Sequence, residues 1–261
     1  IGLQAVQNSL LKQIGRIHTY EEFEKCYKTA EKVGFTNINV DLMLALPEQT
    51  IEDLKESLNK VIKLGPKHIS LYSLILEEGT KLEKMVNENK VKLPEDELER
   101  TMYWETKHIL EKNGYNHYEI SNFAKKGYES KHNMNCWKQK EYFGFGVAAH
   151  SYTKNKRYCN TSNLEDYIKN IKNKELERNR QVCEIQTPQD EEKEFMILGL
   201  RTIKGVSIQD FKSKFGKNPI FLFRKELGKL VEEDLIQIDL DEISLTEKGL
   251  DLANLVWEEF V

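Results

Sequence analysis

The chain has 261 residues, of which 31% are charged, with 39 Lys and Arg against 43 Asp and Glu for a formal net charge of −4. That length can bury a large core in one big domain or two, and the charge balance predicts a soluble, mildly acidic protein and argues against a nucleic-acid binder, which presents a basic face. No apolar run approaches transmembrane length and no signal peptide is readable.

The four cysteines, Cys26, Cys136, Cys159 and Cys183, lie far apart and form no C-x-x-C pair. Neither a disulfide framework nor a zinc site is expected from that spacing, and reduced thiols in the cytoplasm are the default.

In chain order, residues 1–6 read as a strand with no initiator Met before it. A parallel strand at the extreme terminus lacks a preceding element, so the chain is expected to be the back part of a longer protein. An exposed strand edge there invites pairing, and the fragment is expected to dimerise through that edge or to fold it away. Residues 9–14 form a short helical turn. Thr19 with Glu22 then reads as a capping box for a helix closed by Gly34.

Residues 38–44 are apolar enough for a buried strand but carry Asp41 in their middle. A buried carboxylate is costly unless something binds it, so Asp41 is either a ligand-binding group or satisfied by a neighbouring backbone amide. Thr50 with Asp53 is a second capping box, opening a helix that Gly65-Pro66 ends. Residues 69–75 are a third strand. Strands separated by helices of this length imply a parallel sheet of three βα units, too few to close a barrel.

Beyond it, helices are expected near 82–89 and 95–112 and a strand at 115–120, followed by a loop of polar and aromatic residues to Trp137. Residues 143–152 look like a Gly-containing strand, where missing side chains let a ligand or backbone come close. Three helical patterns near 189–200, 207–215 and 218–232, then a hairpin and a helix from Thr246, suggest a winged-helix-like module. Such modules often bind DNA, but residues 188–261 hold ten Lys and Arg against sixteen Asp and Glu. A phosphate-binding face needs the opposite sign, so a packing or partner role is expected.

Several of these motifs carry a resemblance. Gln4 with Gly15-Arg-Ile-His18, Asn39-Val-Asp-Leu-Met43 and Leu46-Pro-x-Gln49 resemble the second half of a radical SAM core, in the group around oxygen-independent coproporphyrinogen III oxidase (HemN). Glu77-Glu-Gly-Thr80, Tyr118-Glu-Ile-Ser-Asn-Phe-Ala124 and Gly144-x-Gly-x-x-Ala-His-Ser151 resemble its HemW branch of haem chaperones. His132-Asn-Met-Asn-Cys-Trp137 is similar to that branch's H-N-x-x-Y-W signature, with Cys136 where Tyr is usual.

The resemblance implies an α/β fold. Residues 1–114 would be part of a radical SAM (β/α) barrel, 115–187 an α+β connecting region with the H-N-x-x-x-W loop, and 188–261 the small winged-helix-like domain. It implies S-adenosylmethionine and a [4Fe–4S] cluster as family cofactors. The cluster's C-x-x-x-C-x-x-C loop is not in this sequence, so radical chemistry is not expected of the chain as it stands.

Gln4, Arg16 and Asp41 match family residues that contact S-adenosylmethionine. Arg16 suits a carboxylate, while Gln4 and Asp41 suit ribose hydroxyls or the amino group. Ile75 either packs on the adenine or belongs to the core. His132 is a candidate haem ligand or a loop histidine bonded to backbone, with Trp137 and Tyr128 offering flat faces to a porphyrin. His150 is either site-facing or a core histidine, and His18, His68, His108 and His117 are read as structural or solvated. Two functions follow from the resemblance: a haem chaperone that delivers haem to acceptor proteins, or a coproporphyrinogen III oxidase of porphyrin biosynthesis.

Overall fold

The apolar runs in the first third of the chain become neighbouring strands. In the computed structural model, which describes residues 1–261, β1 (Gly2–Gln4), β2 (Asn39–Leu44) and β3 (His68–Ser73) run parallel. Two antiparallel strands, β4 (Asn116–Glu119) and β5 (Asn122–Ala124), extend the sheet in the order β1-β2-β3-β5-β4. The connections carry α1 (Asn8–Gln13), α2 (Tyr20–Lys32), α3 (Ile51–Leu64), α4 (Lys81–Asn87) and α5 (Asp96–Lys112). Both expected capping boxes are formed, at Thr19–Glu22 and Thr50–Asp53, and Gly65 stops α3 in the left-handed conformation.

The period of β2 explains the layering. Val40, Leu42 and Leu44 alternate with Asn39, Asp41 and Met43, so the strand has one apolar and one mixed face. The apolar face, continued by Leu3, Ile69, Leu71 and Phe123, packs on Phe23 and Tyr27 of α2, Leu54, Leu58 and Val61 of α3, and Met102 and Leu110 of α5. A parallel sheet is ordinarily apolar on both faces. Here the second face carries Gln4, Asn39, Asp41, His68 and Ser70, and that departure marks it for function.

These elements belong to the first of two units, Ile1–Glu129; Ser130–Val261 is the second. The second begins with α6 (Lys131–Trp137) and an antiparallel sheet of β6 (His150–Thr153), β7 (Lys156–Asn160) and β8 (Arg180–Ile185), with α7 (Leu164–Lys172) between the last two. Then follow α8 (Pro188–Gly199), β9 (Val206–Ser207), α9 (Ile208–Phe215), α10 (Pro219–Leu222), α11 (Arg224–Glu232), the hairpin β10 (Ile236–Ile238) and β11 (Glu242–Leu245), α12 (Glu247–Asp251) and α13 (Ala253–Glu258). Phe195, Phe211, Phe223 and Phe260 form the aromatic centre of this stretch, with Phe211 5.6 Å from Phe195 and Phe223 5.3 Å from Phe260, each pair edge to face.

Three expectations are corrected. Residues 121–137 are not a loop: they contain β5 and α6. Of residues 143–152 only the end is a strand, because Gly146 and Ala148 take positive φ (109 and 56) and turn the chain just before His150. The helix expected over 218–232 breaks at Phe223 into α10 and α11.

Candidate functional site

Gln4 and Asp41 converge over Gly2. A Cβ placed on Gly2 would stand 2.8 Å from the Gln4 Nε2 and 3.9 Å from the Asp41 Oδ2, so the glycine makes room for the Gln4 amide to lie in beside Asp41. Gly2 pairs with Asp41 across β1 and β2, and the register slips between Gly2 and Gln4. Gln4 itself sits at φ 73, a left-handed conformation uncommon for a residue with a side chain. Strain of that kind concentrates at sites where surrounding structure holds a side chain in place.

Asp41 is held by a row of side chains on the same sheet face. The Asn39 Nδ2 donates to the Asp41 Oδ1 at 2.6 Å. Because the carboxylate only accepts, the Asn39 Oδ1 faces the other way, towards the His68 Nδ1 at 2.7 Å, and also accepts from the Ser70 Oγ at 3.2 Å. The His68 Nδ1 therefore carries the proton, and the neutral ring's Nε2 accepts from the Tyr118 hydroxyl at 2.7 Å. Burial pushes the His68 imidazole below the ordinary histidine value, against the opposing pull of Asp41 and Glu129. Of the two readings of Asp41, satisfaction by backbone is replaced by a side-chain relay that occupies only one carboxylate oxygen.

Arg16 lies elsewhere on this unit. It is exposed after α1 and lines a cleft of about 520 Å³ with Met43, Ile75, Glu77 and Thr80, at the carboxyl ends of β2 and β3. That is where parallel α/β folds bind ligands. No carboxylate of the protein pairs with Arg16. Gln4 and Asp41 do not line this cleft, but Met43 shares the sheet face with Asp41, one alternation along β2. Ile75, weighed above as adenine contact or core, is 79% exposed and so is not core.

In the second unit, His132 stands on α6 rather than in a loop. It is exposed, with its Nε2 4.0 Å from the Cys136 Sγ one turn on and its ring edge-on to Tyr142 at 6.4 Å. Burial raises the Cys136 thiol, against a smaller lowering by Arg157. The imidazole is thus the readier ligand of the two. Trp137 is less open than the sequence suggests: the Arg201 guanidinium covers its ring at 4.5 Å.

His150 is exposed at the start of β6, and it is not alone. One of its ring nitrogens and the sulfurs of Cys159 and Cys183 all lie within 4.8 Å of one another. Cys159 and Cys183 are far apart in the sequence, and the antiparallel pairing of β7 and β8 brings them side by side. The close approach expected around the glycines is one of backbone: a Cβ on Gly144 would stand 2.1 Å from the His150 carbonyl oxygen. The thiols of the second unit do not gather three to a point, so they do not fit a [4Fe–4S] cluster.

The residues missed by sequence reasoning are Asn39, His68, Ser70 and Tyr118. The first three had a readable signal, polar side chains at every second position of β2 and β3, whose register places Asn39 beside His68 and Asp41 beside Ser70.

Comparison with known proteins adds a separate line. Residues 1–61 match the Radical SAM superfamily and residues 186–252 the HemN C-terminal domain. The chain is 38% identical over 261 residues to the Heme chaperone HemW of Lactococcus lactis subsp. lactis (strain IL1403), covering 100% of this chain and 68% of that protein. It is 38% identical over 260 residues to the Heme chaperone HemW of Bacillus subtilis (strain 168), again covering 68% of the relative. Among solved structures it resembles the coproporphyrinogen III oxidase (HemN) from Escherichia coli, with a TM-score of 0.79 at 20% identity, covering 99% of this chain and 62% of that one. At that identity the likeness is one of fold.

Proposed function

Because the chain belongs to the HemW family of radical SAM proteins, we propose that it serves as a haem chaperone whose first unit binds S-adenosylmethionine and whose second unit binds haem as cargo for acceptor proteins. The observation that carries the reading is the 38% identity to HemW along the whole chain. The geometry supports it at two places.

The first is the polar face of the parallel sheet. S-adenosylmethionine presents a carboxylate, an amino group and ribose hydroxyls. Asp41 keeps its Oδ2 free for a donor, the Gln4 amide offers both a donor and an acceptor, and Gly2, lacking a side chain, lets that amide lie beside Asp41. Arg16, exposed at the cleft, supplies a cation for the carboxylate. The chain's own residues therefore bind and orient the cofactor; a [4Fe–4S] cluster finds no set of thiolates here, and no step is assigned to one. Replacing Asp41 by Asn keeps the side chain's shape but removes its charge. Losing one charge-assisted hydrogen bond of about 1.5–3 kcal/mol weakens binding roughly 10- to 100-fold. Calorimetry with S-adenosylmethionine measures this, and equal affinity in wild type and Asp41→Asn would remove Asp41 from the site.

The second is His132, an exposed imidazole on the H-N-x-x-x-W helix, of the ligand type that haem iron takes. Titration with haem, followed by absorbance, is expected to give a Soret shift at micromolar haem that His132→Ala abolishes. A shift that survives in His132→Ala but disappears in His150→Ala would move haem to the sheet, and no specific binding at all would count against the chaperone reading. The likeness to the solved coproporphyrinogen III oxidase, at 20% identity, is one of fold, so the oxidase reading has less behind it than the 38% identity to HemW.

A further inference from the structure

The exposed face of β6, β7 and β8 brings together three soft or borderline metal ligands from three strands. His150 pairs with Cys159 across β6 and β7. Cys159 faces Gln181 across β7 and β8, and there the ladder slips: Tyr158 pairs with Val182 but Arg157 pairs with Glu184. Cys183 is thus the extra residue of a β-bulge, without a ladder partner. Bulges recur where a side chain is re-aimed at a functional site. The Gln181 Nε2 donates to the Cys159 Sγ at 3.3 Å, and Gly144 seats directly on the His150 backbone, so two of the three ligands are held from behind.

We propose that His150, Cys159 and Cys183 form a three-ligand site for a thiophilic metal ion of the zinc type, with its fourth position open to water or an external ligand. One nitrogen and two sulfurs are the donor set of an open tetrahedral zinc site. Metal bonds of about 2.1–2.3 Å at tetrahedral angles bring such donors to about 3.5–3.8 Å from one another. The present separations, all within 4.8 Å, need a closure of about 1 Å by rotation of the exposed His150 and Cys183 side chains towards the half-buried Cys159.

Other occupants fit worse. Magnesium and calcium take oxygen ligands. A porphyrin fills four equatorial positions of its iron and leaves only the axis, which three donors converging from one side do not match.

Binding one divalent ion displaces the two thiol protons to solvent and leaves both sulfurs as thiolates. Uptake therefore strengthens as pH rises.

The test is a Co²⁺ titration of the reduced chain. A sulfur-to-cobalt charge-transfer band saturating at one equivalent and bleached by Zn²⁺ is expected. Cys159→Ser, Cys183→Ser and His150→Ala should each abolish the band, and Cys26→Ser should leave it intact. No band at one equivalent, or one that persists in Cys159→Ser and Cys183→Ser, overturns the proposal. So does a band lost in His132→Ala, which would place the metal on α6 beside Cys136. Alkylation and peptide mapping of the unmutated chain give a readout free of folding defects. Zn²⁺ should protect Cys159 and Cys183 while Cys26 still reacts; equal labelling with and without Zn²⁺, or a Cys159–Cys183 disulfide that forms instead of metal uptake, counts against the site.

Discussion

His117 has its chemistry set by packing alone. Its ring stacks on Phe123 at 4.5 Å and 16°, and its Nε2 lies 3.2 Å from the Tyr103 hydroxyl and 3.3 Å from the Ile120 carbonyl oxygen. The Nδ1 is buried with no partner. A neutral ring donating from Nε2 tolerates this, whereas protonation would bury an N–H with no acceptor. Burial accordingly depresses the imidazole to about 4 from its ordinary 6.5. The folded-state value lies below the unfolded one, so between pH 6.5 and about 4 the unfolded chain binds a proton that the folded chain refuses. Stability is therefore flat above pH 6.5 and falls through that window as pH drops, by an amount on the order of 3 kcal/mol for this residue. His68, also depressed, adds to the fall in the same direction. Urea unfolding at pH 7 and pH 5 should show the difference, and His117→Phe, which keeps the stack on Phe123, should shrink it. An equal loss in wild type and variant would mean that His117 titrates normally. The sequence left both histidines as structural or solvated, since nothing in it says which strands bring Tyr103, Tyr118 and Phe123 against their rings.

Elements with a strong period and a chemical stop were legible. The helices α2 and α3 follow from an apolar stripe, a Thr capping box at the start and glycine at the end, and β2 from a β-branched and leucine run flanked by turns. What failed was short or locally disfavoured. The strand β5 has three residues and exists through pairing with β3 and β4, a relation between distant segments. The helix α6, Lys-His-Asn-Met-Asn-Cys-Trp, contains two asparagines and is a weak helix former by propensity; it starts from a Ser130 side chain that accepts from the Asn133 N–H. Residues 143–149 alternate like a strand, yet Gly146 and Ala148 turn the backbone. The candidate site divides in the same way. Gln4 and Asp41 could be named from their motif, but their meeting over Gly2 depends on the β1–β2 register slip. The His150, Cys159 and Cys183 group depends on a bulge that no spacing rule announces.

At the scale of the whole molecule, α6 with its candidate haem ligand is held to the rest of the second unit through an arginine. The Arg201 guanidinium, in the turn after α8, stands 4.5 Å from the Trp137 ring of α6 and 5.0 Å from the Trp257 ring of α13. One cation between two indoles thus links the start of the unit to its end, which local sequence could not reveal because the three residues are separated by most of that unit. Each cation–π contact contributes about 0.5–2 kcal/mol, so Arg201→Ala should destabilise the unit by roughly 1–4 kcal/mol. The chain has three tryptophans, and the third, Trp104, lies in the first unit. A Trp104→Phe background therefore lets fluorescence report on the second unit alone during urea unfolding. The consequence for function is separable from stability. If α6 presents His132 to haem only while Arg201 pins it, Arg201→Ala should weaken haem binding under conditions where the unit is still fully folded, although Arg201 is not itself the ligand. A variant that loses less than about 0.5 kcal/mol and binds haem as the unmutated chain does would show that α6 is positioned by other contacts, and that the two tryptophans serve packing alone.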